Sequence, residues 1–265
     1  MEIVNIMLTC VGRRNYLVRF FQNALDGKGL VIAADASGDA PALQEADRAF
    51  VVPLVSDPNY FDVLLSICRK YDVRLLISLN DLELPRLAHY RQEFNQVGTL
   101  PVVSEPHVID TCFDKWQTCL FLERNGFDTP ATYLSLADAH KALAVGELVF
   151  PVVVKPRWGT ASIGIEYAYD ANELDLVYEL VRRRLAHTII SEASAIDPEH
   201  CVMIQQKLSG HEYGLDVINN LDAKHVVTFA KHKLSMRAGE TDRAVTVDNP
   251  DLIEVGDKLG SILGH

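Results

Sequence analysis

The segment Phe150-Pro-Val-Val-Val-Lys155-Pro-Arg-Trp-Gly159-Thr-Ala-Ser162-Ile-Gly164-Ile-Glu-Tyr-Ala-Tyr169 holds an apolar run ending on a lysine, then a loop of small residues, then an alternating run. The two flanking runs read as strands. A loop of Gly, Thr, Ala and Ser leaves its backbone N–H groups uncovered, so it can close over phosphate oxygens, with Lys155 as a compact positive charge. In a Walker loop the lysine follows the glycines and opens a helix. Here it precedes them and a strand follows, so the segment reads as a phosphate-covering hairpin flap. An ordinary hairpin with a flexible tip gives the same pattern, and the choice between them rests on the rest of the chain.

At 265 residues the chain has room for two domains and a substantial core. Hydrophobic residues make up 48% of it, which argues against disorder. The 25 basic and 36 acidic residues leave a net charge of −11, which argues against a nucleic-acid or anionic-membrane surface. The dense basic cluster Arg182-Arg183-Arg184 falls in a helical stretch and reads as a solvated face. Cys10, Cys68, Cys112, Cys119 and Cys201 are odd in number and contain no C-x-x-C pair, as expected of free thiols in a reducing cytoplasm. The opening shows no signal-peptide pattern and no run is long enough to span a bilayer, so a soluble, cytoplasmic protein is expected.

Residues 3–8, 30–34, 50–52 and 74–78 read as strands, and 15–25, 60–71 and 82–94 as helices. Strands separated by helices predict a parallel sheet covered on both faces, a Rossmann-like unit with ligand sites at the carboxyl ends of its strands. The first turn, Thr9-Cys10-Val11-Gly12-Arg13-Arg14, lacks G-x-G-x-x-G, which weighs against a dinucleotide site even though Asp35 ends the second strand. Asn80 and Asp81 suit either ligand contact or helix capping. A linker is expected at 102–106, dividing a domain at 1–103 from one at 104–265, with a small lid at about 129–205. In the second domain 110–125, 137–144, 173–185 and 251–263 read as helices. Residues 202–205, 212–218 and 225–234 read as strands, so this half is α+β.

Three features there combine. Lys115 lies on a helix ahead of the flap, and Lys155 stands at its base. Gln205-Gln206-Lys207-Leu208-Ser209-Gly210-His211-Glu212 is a strand end breaking into a turn before an acid. An unpaired strand edge offers one N–H and one C=O to the edge of adenine, and an acid can accept from ribose hydroxyls. Two lysines for phosphates complete an ATP site.

At this point the chain resembles the ATP-grasp superfamily, in its carbamoyl-phosphate synthase large-chain-like branch. The matching pieces are Asp114-Lys115, the flap, residues 202–216 with Gly210-His-Glu212-Tyr, and Gly239-Glu-Thr-Asp-Arg-Ala-Val-Thr-Val247. The resemblance implies that Lys115 and Lys155 bind phosphates and that Gly159, Thr160, Ala161, Ser162 and Gly164 form the flap. It further implies Gln206, Lys207 and Leu208 around the adenine, Glu212 on the ribose, and Lys155 and Arg237 as the catalytic residues near the phosphates, although Arg237 reads equally well as a surface arginine in a loop. Lys231 and Lys233 flank the same edge. Gln206 stands where the family often has an acid.

The implied cofactors are ATP and magnesium. The family holds magnesium with a Glu and an Asn in an E-x-N-x-R-like stretch on C-terminal strands, and no such stretch precedes His265. No metal ligand is therefore assigned, Glu240, Asp242 and Asp248 included, and the ATP-grasp domain is expected to be C-terminally incomplete. The expected enzyme is an ATP-dependent ligase that activates a carboxylate as an acyl phosphate for attack by an amine. A non-catalytic nucleotide-binding module and a bicarbonate- or carbamate-phosphorylating subunit remain alternatives. Expected partners are small carboxylates and amines, and either a second copy of the chain or a complementing C-terminal segment.

Overall fold

Alternation of side chains along the first strand sets the architecture of the first unit. The computed structural model describes residues 3–237 and 239–265, and its two compact units divide between Ile109 and Asp110. Ala238, inside the 236–240 stretch that carries Arg237, lies outside the described residues. In the first unit β1 (Asn5–Thr9), β2 (Val31–Asp35), β3 (Arg48–Val51), β4 (Val73–Ser78) and β5 (Leu100–Pro101) form a parallel sheet in the order β3-β2-β1-β4-β5. The helices are α1 (Asn15–Leu25), α2 (Pro41–Glu45), α3 (Tyr60–Tyr71), α4 (Leu84–His89) and α5 (Arg91–Gln96). Ile6 and Leu8 pack on one face with Val18 and Leu43, whereas Met7 packs on the other with Phe61, Leu64 and Phe94. The period of two thus gives the sheet two cores, one under each helical layer.

The strand order reverses direction between β1 and β4, and there Glu83 is fully buried. It accepts hydrogen bonds from Ser78 Oγ (2.6 Å), Thr9 Oγ1 (2.7 Å), Tyr60 OH (2.9 Å) and Cys10 Sγ (3.3 Å). Burial, then the neighbouring carboxylate, raises the Cys10 thiol and the Tyr60 phenol above their ordinary values, so both remain donors. Asp35 turns inward too: its oxygens accept from the Gly12 amide (2.8 Å) and the Ser37 amide (2.9 Å). The single helix read at 82–94 is instead two, meeting at Tyr90. Pro85 opens α4, with Glu83 as its cap residue.

The helix read at 110–125 is also two, α6 (Pro106–Phe113) and α7 (Lys115–Arg124). Asp114 leaves helical geometry between them (ψ 104°) and caps α7 through the Trp116 and Gln117 amides. Next, β6 (Thr132–Tyr133), α8 (Leu136–Val145), β7 (Val152–Pro156), β8 (Glu166–Ala168), α9 (Ala171–Leu185), α10 (Ser191–Ser194) and β9 (Val202–Gln206) build an antiparallel sheet in the order β6-β9-β7-β8, with α9 packed on it. A third sheet contains β10 (Tyr213–Asn219), β11 (His225–Arg237) and β12 (Glu240–Val247), and α11 (Pro250–Leu263) packs against β10 and β11. The reading of the sequence assigned no strand to β12, whose charged run Glu240-Thr-Asp-Arg hides its pairing with β11.

Two glycines let α11 lie close to that sheet. A Cβ on Gly256 would stand 2.3 Å from Thr228 Cγ2, and one on Gly260 would stand 2.4 Å from His225 Nδ1. Gly256→Val or Gly260→Leu is therefore expected to lower stability by about 1–3 kcal/mol through overpacking. Denaturant unfolding measures this against Glu254→Ala on the exposed face of the helix, and equal midpoints for all three variants would refute it.

Candidate functional site

Lys155 lies near the end of β7, where the register sets Val153 opposite Gln205 and Lys155 two residues further along the same face. Its ammonium donates to Gln205 Oε1 at 2.6 Å. Gln205 has no freedom to turn. Its Nε2 donates to Thr132 Oγ1 (2.8 Å), and that hydroxyl donates to the Pro130 carbonyl (2.7 Å). The lysine thus meets a neutral oxygen, and no carboxylate pairs with it among the described residues. Burial lowers its pKa from the ordinary 10.5.

Lys115 is placed by a different device. Arg157, two residues past Lys155, grips Asp114 through Nε (2.8 and 3.0 Å) and Nη2 (2.7 Å), and its Nη1 reaches Asp197 at 3.1 Å. The side chains of Arg157 and Asp114 are 11% and 9% exposed, so the fork is largely dry. Its hydrogen bonds to Asp114 raise the guanidinium pKa further. The Lys115 amide donates to the Arg157 carbonyl (3.1 Å), and the Lys115 ammonium donates to the Gly159 carbonyl (2.9 Å). The guanidinium also lies 4.4 Å from the centre of the Trp158 ring.

Beyond Gly159 and Thr160 the flap turns through two left-handed residues, Ala161 (φ 52°) and Ser162 (φ 56°), and then Gly164 (φ 70°). Side-chain-bearing residues rarely adopt this conformation. The tip rests on the turn between β11 and β12, since a Cβ on Gly239 would fall 2.5 Å from the Ala161 carbonyl carbon and 2.7 Å from Ser162 Oγ. Arg237, exposed, enters the same turn.

The hinge follows β9. The Gln206 side chain is committed to backbone, accepting from the Val149 amide (3.0 Å) and donating to the Lys207 carbonyl (3.1 Å). Residues 207–212 then run outside any strand, exposed. Lys207 lies 5.3 Å from the centre of the Tyr167 ring, and Leu208 is 68% exposed. Glu212 is paired with Lys233 (2.7 Å), as Asp216 is with Lys231 (2.6 Å).

Direct contacts therefore join Lys115, Asp114, Arg157 and Gly159, while Gln205 ties Lys155 to the root of the hinge. Glu212 immediately precedes β10 and Arg237 ends β11, both at the neighbouring sheet. Arg157 and Gln205 lie in segments singled out from the sequence, but neither they nor Thr132 and Asp197 were assigned a role in the site. Their partners lie 40 to 73 positions away, beyond the reach of any spacing rule. The one local signal was Asp114, an N-cap residue directly before Lys115. Among the described residues no group of three or more His, Cys, Asp or Glu side chains is placed to hold a metal ion, and no helix is long and apolar enough to cross a membrane.

Residues 6–103 match the family model described as the PylC-like N-terminal domain, and residues 148–254 match that of the ATP-grasp domain. Among solved structures the chain is similar to L-amino acid ligase from Bacillus licheniformis, with a TM-score of 0.68 and 20% identity, covering 99% of this chain and 60% of that one. It is similar to biotin carboxylase from Campylobacter jejuni (TM-score 0.72, 15% identity, 100% of this chain and 60% of that one). It is also similar to N5-carboxyaminoimidazole ribonucleotide synthetase from Thermotoga maritima (TM-score 0.62, 16% identity, 100% and 62%). At these identities the likeness establishes the fold, a parallel-sheet unit followed by an ATP-grasp unit. The chain spans 60% to 62% of the length of these three proteins.

The lowered pKa of Lys155 fixes the sign of a pH effect. Below its folded-state value the buried ammonium costs stability, and that cost disappears as pH rises from there toward 10.5. Wild type is therefore expected to gain stability relative to Lys155→Met as pH is raised from 7 toward 10.5. Urea unfolding of both proteins across that range checks it, and a constant difference would show that Lys155 is solvated like an exposed lysine.

Proposed function

We propose that this chain, whose residues 148–254 match the ATP-grasp domain and residues 6–103 the PylC-like N-terminal domain, serves an ATP-dependent ligase joining a carboxylate to an amine. One observation carries the reading: Lys155 is a half-buried cation held by a neutral amide at the root of an exposed, strand-free hinge. A cation prepared in this way lacks an anion, and a nucleotide phosphate supplies one. When bound, ATP would supply a phosphoryl group to the carboxylate, giving an acyl phosphate that an amine opens with release of phosphate.

The residues of this chain would hold and orient. Lys155 and Lys115 would neutralise phosphate oxygens, and the amides of Gly159, Thr160, Ala161, Ser162 and Gly164 would cover them. The backbone of Gln206, Lys207 and Leu208 would meet the adenine edge, leaving the Gln206 side chain to hold the hinge. Glu212 would take the ribose once shared with Lys233, and Arg237 would stand by the transferring group. For magnesium the described residues form no cluster of three or more His, Cys, Asp or Glu side chains, and no step is assigned to it. Phosphorylation of bicarbonate or carbamate is a narrower form of the same chemistry.

Five free cysteines support a cytoplasmic setting. Exposed Phe229, Leu234 and Val245 on β11 and β12 support a second copy or a complementing segment as partner.

Isothermal titration with ATP tests the site, and ADP release over a panel of carboxylates and amines tests the reaction. Lys115→Met and Lys155→Met are each expected to weaken ATP at least about tenfold, or ~1.4 kcal/mol. Binding without substrate-dependent ADP release would favour a nucleotide-binding module. Failure of the wild-type chain to bind ATP would refute the reading.

A further inference from the structure

By position Arg157 invites reading as a phosphate ligand, since it stands at the root of the flap two residues from Lys155. Its hydrogen bonds point elsewhere. Nε and one N–H of Nη2 are given to Asp114, and one N–H of Nη1 to Asp197. Two carboxylates more than balance its charge. A buried ion pair is also a poor way to add stability, because desolvation offsets much of the attraction. What this pair does supply is direction. A guanidinium fork meets a carboxylate in one plane and at one distance, which an ammonium does not.

Asp114 is engaged twice, gripping Arg157 and capping α7. Fixing its carboxylate therefore fixes the first turn of α7, and Lys115 is the first residue of that turn. Two further bonds close the same loop: the Lys115 amide to the Arg157 carbonyl, and the Lys115 ammonium to the Gly159 carbonyl. Asp197 holds the guanidinium from the other side and is itself hydrogen-bonded by the His200 ring (3.1 Å). The start of α7 and the strand end bearing Lys155 are thus locked together through one side chain.

We propose that Arg157 is a positioning residue that acts through Asp114 to hold Lys115 in register with Lys155, so that both ammonium groups serve one triphosphate. The proposal rests on the ATP reading above. Loss of the fork lets α7 shift at its first turn, and Lys115 then no longer reaches the phosphates. The protein folds either way, because the cap and both sheets remain.

Arg157→Lys keeps the charge and loses the fork. Asp114→Asn keeps the cap, since Asn caps as well as Asp, and weakens the fork. Each is expected to weaken ATP about tenfold in isothermal titration, and to lower the thermal midpoint as well, because each leaves a nearly dry partner less well paired. The deciding measurement is a double-mutant cycle with Lys115→Met. If Arg157 acts through Lys115, Arg157→Lys should cost less than about twofold in the Lys115→Met background. An equal loss in both backgrounds would show a general structural role and overturn the proposal, as would wild-type affinity in both single variants. Those results presuppose that wild type binds ATP. If it does not, the ATP reading fails first, so the two failures are distinguishable.

Discussion

The ion pair between Arg157 and Asp114 is the constraint on which the geometry of the second unit turns. A single carboxylate caps a helix, receives a guanidinium fork and precedes one of the two candidate phosphate lysines. Because the fork is nearly dry, its bonds are charge-assisted and poorly screened, and its planar geometry leaves little play. The flap root, the start of α7 and Lys115 are consequently one rigid piece. The other lysine is held independently, by a chain of neutral groups from Lys155 through Gln205 and Thr132 to the Pro130 carbonyl.

Positive charge is thereby sorted by purpose. Arg157, which builds the frame, has carboxylates on both sides. Lys155, the residue proposed to meet a phosphate, has an amide oxygen as its hydrogen-bond partner. Burial without a counter-ion is unfavourable for the folded chain, and such a cost is what a binding site stores for its anion. The flap shows the same economy. Ala161 and Ser162 hold an uncommon backbone conformation against Gly239, where a side chain would not fit.

The first unit uses its carboxylates differently. Glu83 gathers four uncharged donors where the loops after β1 and β4 diverge, and Asp35 ties down the turn at Gly12. In doubly wound sheets this is where nucleotides usually lie. Here the carboxylates of Glu83 and Asp35 stand at that place, bonded to the protein's own donors.

Much was legible in the chain itself, and for a physical reason. Strand and helix periods are local, so the parallel first half, the strand–loop–strand pattern around residues 157–165 and the end of β9 before residue 207 could be read from spacing, and α1 and α3 fall on the residues expected, 15–25 and 60–71. The order of Lys115, Lys155 and the hinge pointed to nucleotide chemistry for the same reason: each role needs a residue type at a local position. Local rules failed where a partner was remote. The break at Asp114 depends on Arg157, 43 residues on. Pairing with β11 makes a strand of Glu240–Val247, and the approach of Thr228 to Gly256, and of His225, Asn219 and Val217 to Gly260, leaves no room for a side chain at either glycine. Residue types and their order were determined by sequence. Which lysine is braced by an ion pair, and which is left facing a neutral amide, was decided by tertiary structure, because charge compensation depends on distances that only the folded chain sets.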